Sequence, residues 1–275
     1  MLPHTVPYTP EGDYIRLPGG DVNIINPIRE ADLCRNQRQN IRVIGSFYGE
    51  LGFGKIVNAL DGLKYRIQFG PDYRNNRTGI ADSAESINGD GNSTAYYETD
   101  IKYSWTLDNL LYYDKSFDRH NIGLTFLQSA SAYHNEGSKL KSFVASDKEL
   151  WYNVGSAAKI QTYSSYLTPK QMESYMLRAN YGFNDRYLLT VSGRWDGASQ
   201  LAEGHYWDFF PSAAVAWRIE QEDFMKNVTW VNQLKMRLGY GVTGNSSVQA
   251  FGTLGPVVSN FYHFGSTTAV GMVAN

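Results

Sequence analysis

An all-β fold, an antiparallel wall of the transmembrane β-barrel kind, is what this sequence predicts, and three observations predict it. From Ser174 to Phe183, Tyr175, Leu177, Ala179, Tyr181 and Phe183 fall on one side of a strand, with Arg178, Asn180 and Gly182 on the other. The pattern restarts after Asn184-Asp185-Arg186, with Tyr187, Leu189, Val191, Gly193 and Trp195 opposite Thr190, Ser192, Arg194 and Asp196. Tyrosine and tryptophan frame the apolar side at the strand ends, where a membrane interface favours them. The connections alternate between long and short, as in bacterial outer-membrane barrels.

Taken in order, the stretch to about Pro27 is rich in Pro and Gly and reads as loop. Asn40 to Leu51 alternates through Ile41, Val43, Gly45, Phe47 and Gly49. After Asp61-Gly62 comes a strand with Leu63, Tyr65, Ile67 and Phe69 opposite Lys64, Arg66 and Gln68. Residues 71–95 are poor in apolar side chains and read as a long loop. A strand from Asp100 to Tyr113 is expected next, then a short turn at Asp114 to Arg119, and a returning strand from His120 to His134. Residues 135–171 read as a second long loop before the 174–196 hairpin. Beyond it, Asp196 to Tyr206 is loop, Trp207 to Ile219 strand, and Glu220 to Gln233 a connection with room for one helical turn. Leu234 to Val242 is the eighth strand, and Val257 to Phe264 starts a ninth. Strands of about ten residues suffice to cross an outer membrane when tilted.

Composition narrows the classes of function. Apolar content of 42% with 14% aromatic residues excludes a disordered or collagen-like chain. A formal charge of −2 from 25 basic and 27 acidic residues provides no footprint for nucleic acid. The lone Cys34 excludes an internal disulfide framework and is read as an ordinary side chain. No apolar run reaches the roughly 20 residues of a membrane helix, which does not weigh against a barrel. HExxH and GxSxG do not occur, the five histidines are scattered, and Gly49 to Gly54 lacks GxGxxG spacing, so no metal, cofactor or catalytic residue is assigned. Asp196, Glu203 and Asp208 flank one loop and are read as solvated carboxylates rather than a glycosidase pair.

Four stretches carry a resemblance: NPIREADLCRNQRQNIRVIGSFYGE from Asn26, YMLRANYGFNDRYLLTVSGRWDGASQ from Tyr175, FFPSAAVAWRI from Phe209 and EDFMKNVTWVNQLKMRLGYGVTGN from Glu222. Together they resemble the SusC/RagA group of TonB-linked outer-membrane transporters. The resemblance implies a barrel of about 22 strands closed by a plug domain. It also implies import of glycans or peptides, a SusD-like surface lipoprotein and the TonB complex as partners. Residues 1–275 are then expected to form eight or nine strands, an open, curved arc of that larger barrel. No stretch matches a plug or TonB box, no basic start precedes an apolar h-region, and Met272-Val273-Ala274-Asn275 is not an aromatic-ended strand. The expectation is an internal barrel segment in the bacterial outer membrane. Two other classes stay open on the residues alone: a small independent pore or adhesin, and a soluble β-rich carbohydrate-binding domain.

Candidate site residues follow from the two faces. Lys64, Arg66, Lys102, Arg178, Arg194, Lys235 and Arg237 lie on the polar side of their strands. A charge facing lipid costs about 2–4 kcal/mol near the midplane, so these are expected to face the lumen. They serve either as a solvated wall knitted by ion pairs or as contacts for a plug or an anionic solute. In the two expected loops, Tyr73 and Arg74, and Trp151, Tyr152, Tyr163 and Tyr166, are candidates to meet a sugar ring or a lipoprotein.

Overall fold

Antiparallel pairing dominates the computed structural model, which describes residues 5–20, 24–144, 151–156, 159–255, 257–265 and 267–274. The strands are β1 (Cys34–Ile44), β2 (Phe47–Gly52), β3 (Leu63–Asp82), β4 (Thr94–Phe117), β5 (His120–Phe143), β6 (Lys159–Phe183), β7 (Tyr187–Ala198), β8 (Trp207–Arg218), β9 (Lys235–Gly241), β10 (Val257–Phe264) and β11 (Thr267–Ala274). Nine form one sheet in the order β1-β3-β4-β5-β6-β7-β8-β9, with β2 also on β3, and β10 and β11 make a separate hairpin. Among the described residues β1 and β9 do not pair with each other, so the ladder is open as expected.

The residues group into two units. One holds Met1–Val43, Asp72–Tyr103 and Asn135–Leu167; the other holds Ile44–Pro71, Ser104–His134 and Thr168–Asn275.

In the first unit the helix α1 (Pro27–Leu33) interrupts what the sequence reads as loop running into strand. Asn26 is fully buried and caps it, its Oδ1 accepting from the Ile28 and Arg29 amides while Nδ2 donates to the Pro7 and Ile15 carbonyls. Asn before Pro is an N-cap followed by a proline whose missing N–H costs the helix nothing there.

The long loops of the sequence reading are corrected. β3, β4, β5 and β6 run for 20, 24, 24 and 25 residues, leaving only 83–93 between β3 and β4 and 144–158 between β5 and β6. Polar sequence hides these strands: where no lipid selects apolar residues at every second position, the backbone ladder still pairs its amides and carbonyls.

The expected strand over 40–51 divides at Gly45-Ser46. Gly45 donates its N–H to the carbonyl of Pro71 in β3, and proline offers no N–H in return, so the ladder breaks there. The turn after β6 is the tight one expected. Asn184 and Asp185 have φ of 52° and 55°, and Arg186 N–H donates to the Phe183 carbonyl, as a type I′ turn requires. The connection after β8 holds two 3-10 turns, Ile219–Gln221 and Asp223–Met225.

Candidate functional site

Register assembles the apolar side chains of β6 to β9 into rows. Tyr175, Trp195 and Phe209 stand side by side, then Leu177, Gly193 and Pro211, then Ala179, Val191, Ala213 and Tyr240. Tyr181, Leu189, Val215 and Leu238 follow, and Phe183, Tyr187, Trp217 and Met236 close the band. This face is the open one: Leu177 is 57% exposed, Val215 50% and Leu238 70%, whereas Thr190, Ser192 and Ser212 on the opposite side are less exposed than their apolar neighbours. A water-soluble sheet buries its apolar side, so the inverted pattern assigns that side to hydrocarbon.

The dimensions agree. Tyr175 and Phe183 are eight positions apart, which is about 27 Å along a strand and about 21 Å after a tilt of about 40°. Aromatic rows bound the band at both ends. Trp195 and Phe209 rings are 4.2 Å apart at one end, and Phe183 and Tyr187 stack at 6.5 Å at the other. Glu222, in the connection after β8, accepts from Trp217 Nε1 (2.9 Å), Tyr187 Oη (2.7 Å) and Arg186 Nη1 (3.2 Å). The Trp217 and Tyr187 hydrogen bonds hold its carboxyl below the usual carboxylate range.

The opposite face of the same strands is polar and cross-linked. Thr190 Oγ1 donates to Asn180 Oδ1 (2.9 Å), and the Ser192 and Ser212 hydroxyls bond at 2.7 Å. Arg194 lies between Asp196 (2.6 Å) and Ser174 (3.1 Å). Arg66 spreads over the Tyr48 ring at 4.3 Å and donates to Gln68, with its Nε buried and unpartnered. Arg237 stands opposite Ala216 and Lys235 opposite Arg218 in the β8–β9 register, both on this polar side. Arg178, Lys64, Lys235 and Arg237 have no carboxylate within ion-pair reach among the described residues. Within the set, then, Arg66, Lys102 and Arg194 are engaged by neighbouring side chains.

In the first unit a polar cleft of about 860 Å³ is lined by Arg38, Asn76, Glu98, Asp100, Lys102 and Tyr166, among others. Asp100, 8% exposed, is its hub. Asn76 Nδ2 and Lys102 Nζ both approach its Oδ1 at 3.1 Å, and Tyr166 Oη donates to Oδ2. Burial would push this carboxyl up, but the hydrogen bonds from Tyr166, Lys102 and Asn76 outweigh it and hold it below its usual range. In the same unit, Asp72 takes a two-pronged bond from Arg42 (3.0 and 2.8 Å) and a further contact from Arg74 (3.2 Å).

The six expected loop residues do not share one loop environment. Tyr73 and Arg74 lie within β3, and Tyr163 and Tyr166 within β6, because both strands outrun the apolar pattern used to bound them. Arg74 is engaged with Asp72, and Tyr166 joins the Asp100 cluster. Trp151 and Tyr152 occupy a 3-10 segment, Trp151–Ser156. The Trp151 indole covers Gly79 so closely that a Cβ there would lie 2.3 Å from the ring, while Tyr152 is 73% exposed. Sequence reasoning missed Asp100 as an organiser, because Asn76, Gly137 and Tyr166, which surround it, all lie in stretches whose polar sequence reads as loop.

A sheet with an exposed apolar face bounded by aromatic rows, and a polar face knitted by hydrogen bonds, is the wall of a transmembrane β-barrel. Comparison with known proteins agrees. Residues 8–273 match the family described as TonB dependent receptor-like, beta-barrel. TonB-dependent receptor P3 of Formosa agariphila is 30% identical over 269 residues, 97% of this chain and 26% of that protein. TonB-dependent receptor SusC of Bacteroides thetaiotaomicron is 27% identical over 230 residues, 81% of this chain and 21% of that protein. The structure of the RagAB peptide transporter superposes with a TM-score of 0.79 at 17% identity, over 98% of this chain and 30% of that one. The chain belongs to the TonB-dependent receptor β-barrel family, and among its members it is similar to SusC, with a fold like that of RagAB. It spans about a quarter of the length of the curated relatives it matches. The family consists of transporters rather than enzymes, and its barrels are outer-membrane proteins.

Proposed function

We propose that this chain is barrel wall in an outer-membrane TonB-dependent importer of glycans or peptides. The observation that carries the reading is the inversion of faces across β6 to β9, with apolar rows exposed and the polar side hydrogen-bonded. In this reading residues 1–275 are wall alone. The plug, the signal peptide and the remaining strands are supplied by sequence outside them, and the whole protein works with a SusD-like lipoprotein and the TonB complex. Lys64, Arg66, Lys102, Arg178, Arg194, Lys235 and Arg237 face the lumen. Arg178 and Arg237, free of carboxylate partners among the described residues, meet the solute or the plug, whereas Arg194 and Lys102 hold the wall. Tyr166 and the Asp100 cluster supply hydrogen-bonding surface to a passing solute, and Tyr152 and Tyr163 supply exposed rings to a lipoprotein or a sugar.

The test is uptake. A strain lacking the gene is compared with its parent for import of labelled oligosaccharides and peptides, and loss of one class names the substrate. Unimpaired uptake of every compound sinks the importer reading. Within the intact gene, Arg178→Ala with Arg237→Ala is expected to lower uptake while the barrel assembles normally; unchanged uptake removes the two arginines from the solute path.

A further inference from the structure

The outward face carries a groove beyond its apolar band. Directly beyond the aromatic row of Tyr175, Trp195 and Phe209, the next row on the same face is Glu173, Gly197 and Trp207. It lies about 7 Å further along the strands, at the end away from the tight Asn184-Asp185 turn. Short turns belong to the periplasmic side of such barrels, so this row sits at the headgroup level of the outer leaflet. A groove of about 610 Å³ opens there, walled by Trp105, Tyr206 and Trp207, floored by Ala132 and edged by Gln171 and Glu173. Its walls are held in place. The Trp207 ring stacks with Tyr175 at 6.0 Å and lies over Gly197, where a Cβ would come within 2.6 Å of it. Tyr175 Oη donates to Glu173, which fixes that carboxylate on the rim.

The chemistry of the lining selects an occupant. Three aromatic side chains that each carry an apolar ring and a polar N–H or O–H line the groove, a composition that suits a molecule with an apolar and a wet end. The rim offers a carboxylate, an amide and the Ser199 hydroxyl, and the described lining contains no lysine or arginine. A phosphate headgroup would find only repulsion from Glu173, whereas sugar hydroxyls find acceptors and donors. The groove is also continuous with the apolar band, along which acyl chains would descend. We propose that this groove holds the saccharide headgroup of an outer-leaflet glycolipid, with its chains lying against Leu177 and Val191. This rests on the membrane-wall reading above and adds to it a fixed lipid site.

The experiment uses the full transporter carrying this wall, purified in mild detergent, with its retained lipids extracted and counted by mass spectrometry. Wild-type protein is expected to keep glycolipid, and Trp105→Ala with Trp207→Ala to keep about five- to tenfold less, with phospholipid unchanged. Ala132→Trp fills the groove without removing a wall; it is expected to give the same loss should the alanine pair impair folding. Equal glycolipid in wild type and both variants overturns the proposal, as does a parallel fall in phospholipid, which marks an unselective lipid ring. Displacement of the glycolipid by a free oligosaccharide, without detergent exchange, also overturns it in favour of a sugar subsite. A protein that partitions with membranes yet holds no glycolipid overturns the groove alone. One that stays in solution without detergent overturns the membrane reading and the groove with it.

Discussion

Tyr166 on β6 donates its phenolic hydrogen to Asp100 on β4 by reaching across Gly137 of β5. A Cβ at Gly137 would lie 2.7 Å from the Tyr166 oxygen and 2.7 Å from the Thr99 carbonyl, so only glycine leaves the path clear. Removing the donor in Tyr166→Phe is expected to cost about 1.5–3 kcal/mol, the range for hydrogen bonds to a charged group. Gly137→Ala should cost at least as much, because a backbone carbonyl has to move. Thermal midpoints of the folded barrel measure both, and a Gly137→Ala protein as stable as wild type would falsify the crossing.

The Asp72 carboxyl is held down to about 2 by the Arg42 and then the Arg74 hydrogen bonds. An unperturbed Asp titrates near ~3.9. The native value is the lower one, so the stabilisation is complete above about pH 4 and fades as pH falls toward 2. Asp72→Asn should remove this part of the acid dependence. A wild-type acid-unfolding curve identical to the variant's would show that the Arg42 pair does not persist in solution.

Ala213 and Ala214 are neighbours on β8 that face opposite ways. Ala213 stands in the central apolar row with Val191 and Tyr240, and Ala214 beside Thr190 and Gly239 on the polar side. Ala213→Arg is expected to cost about 2–4 kcal/mol in the membrane and to reduce assembled barrel. Ala214→Arg should assemble normally. The outer-membrane fraction and heat-modifiable electrophoresis of the two proteins decide it, and equal yields would remove the assignment of faces.

Burial, joined by a hydrogen bond with Asp82, pushes the Cys34 thiol up to about 11. At pH 7.5 almost none is thiolate, which is the nucleophilic form. Alkylation of the native protein should therefore be far slower than of the unfolded chain and should speed up at higher pH. Alkylation at the unfolded rate at pH 7.5 would mean that this site opens freely.

The hairpin from β6 to β7, and β8 and β9, were legible because lipid selects an apolar residue at every second position, and Asn-Asp between two such runs marks the turn. That selection ends where the strands leave the membrane. Residues 72–82 and 159–171 therefore look like loop, although they pair as strand. The Asn26-Pro27 helix start is written in cap chemistry, but a helix of seven residues is too short to show an apolar period. The candidate residues divide in the same way. The polar side of Arg178, Arg194 and Arg237 follows from alternation, but Asp100 gathers its partners from three strands, and registers between strands are not written in any one of them.

The order of strands in the sheet follows the order of the chain, from β3 through β9 without a crossover. No strand in that run waits for a distant partner, so the costly closure of long loops is avoided at each addition. Such a wall can be laid down hairpin by hairpin, each new strand on the one before it. A lesion in one strand then stalls the strands beyond it and leaves those already placed intact, and damage along this chain should have a direction.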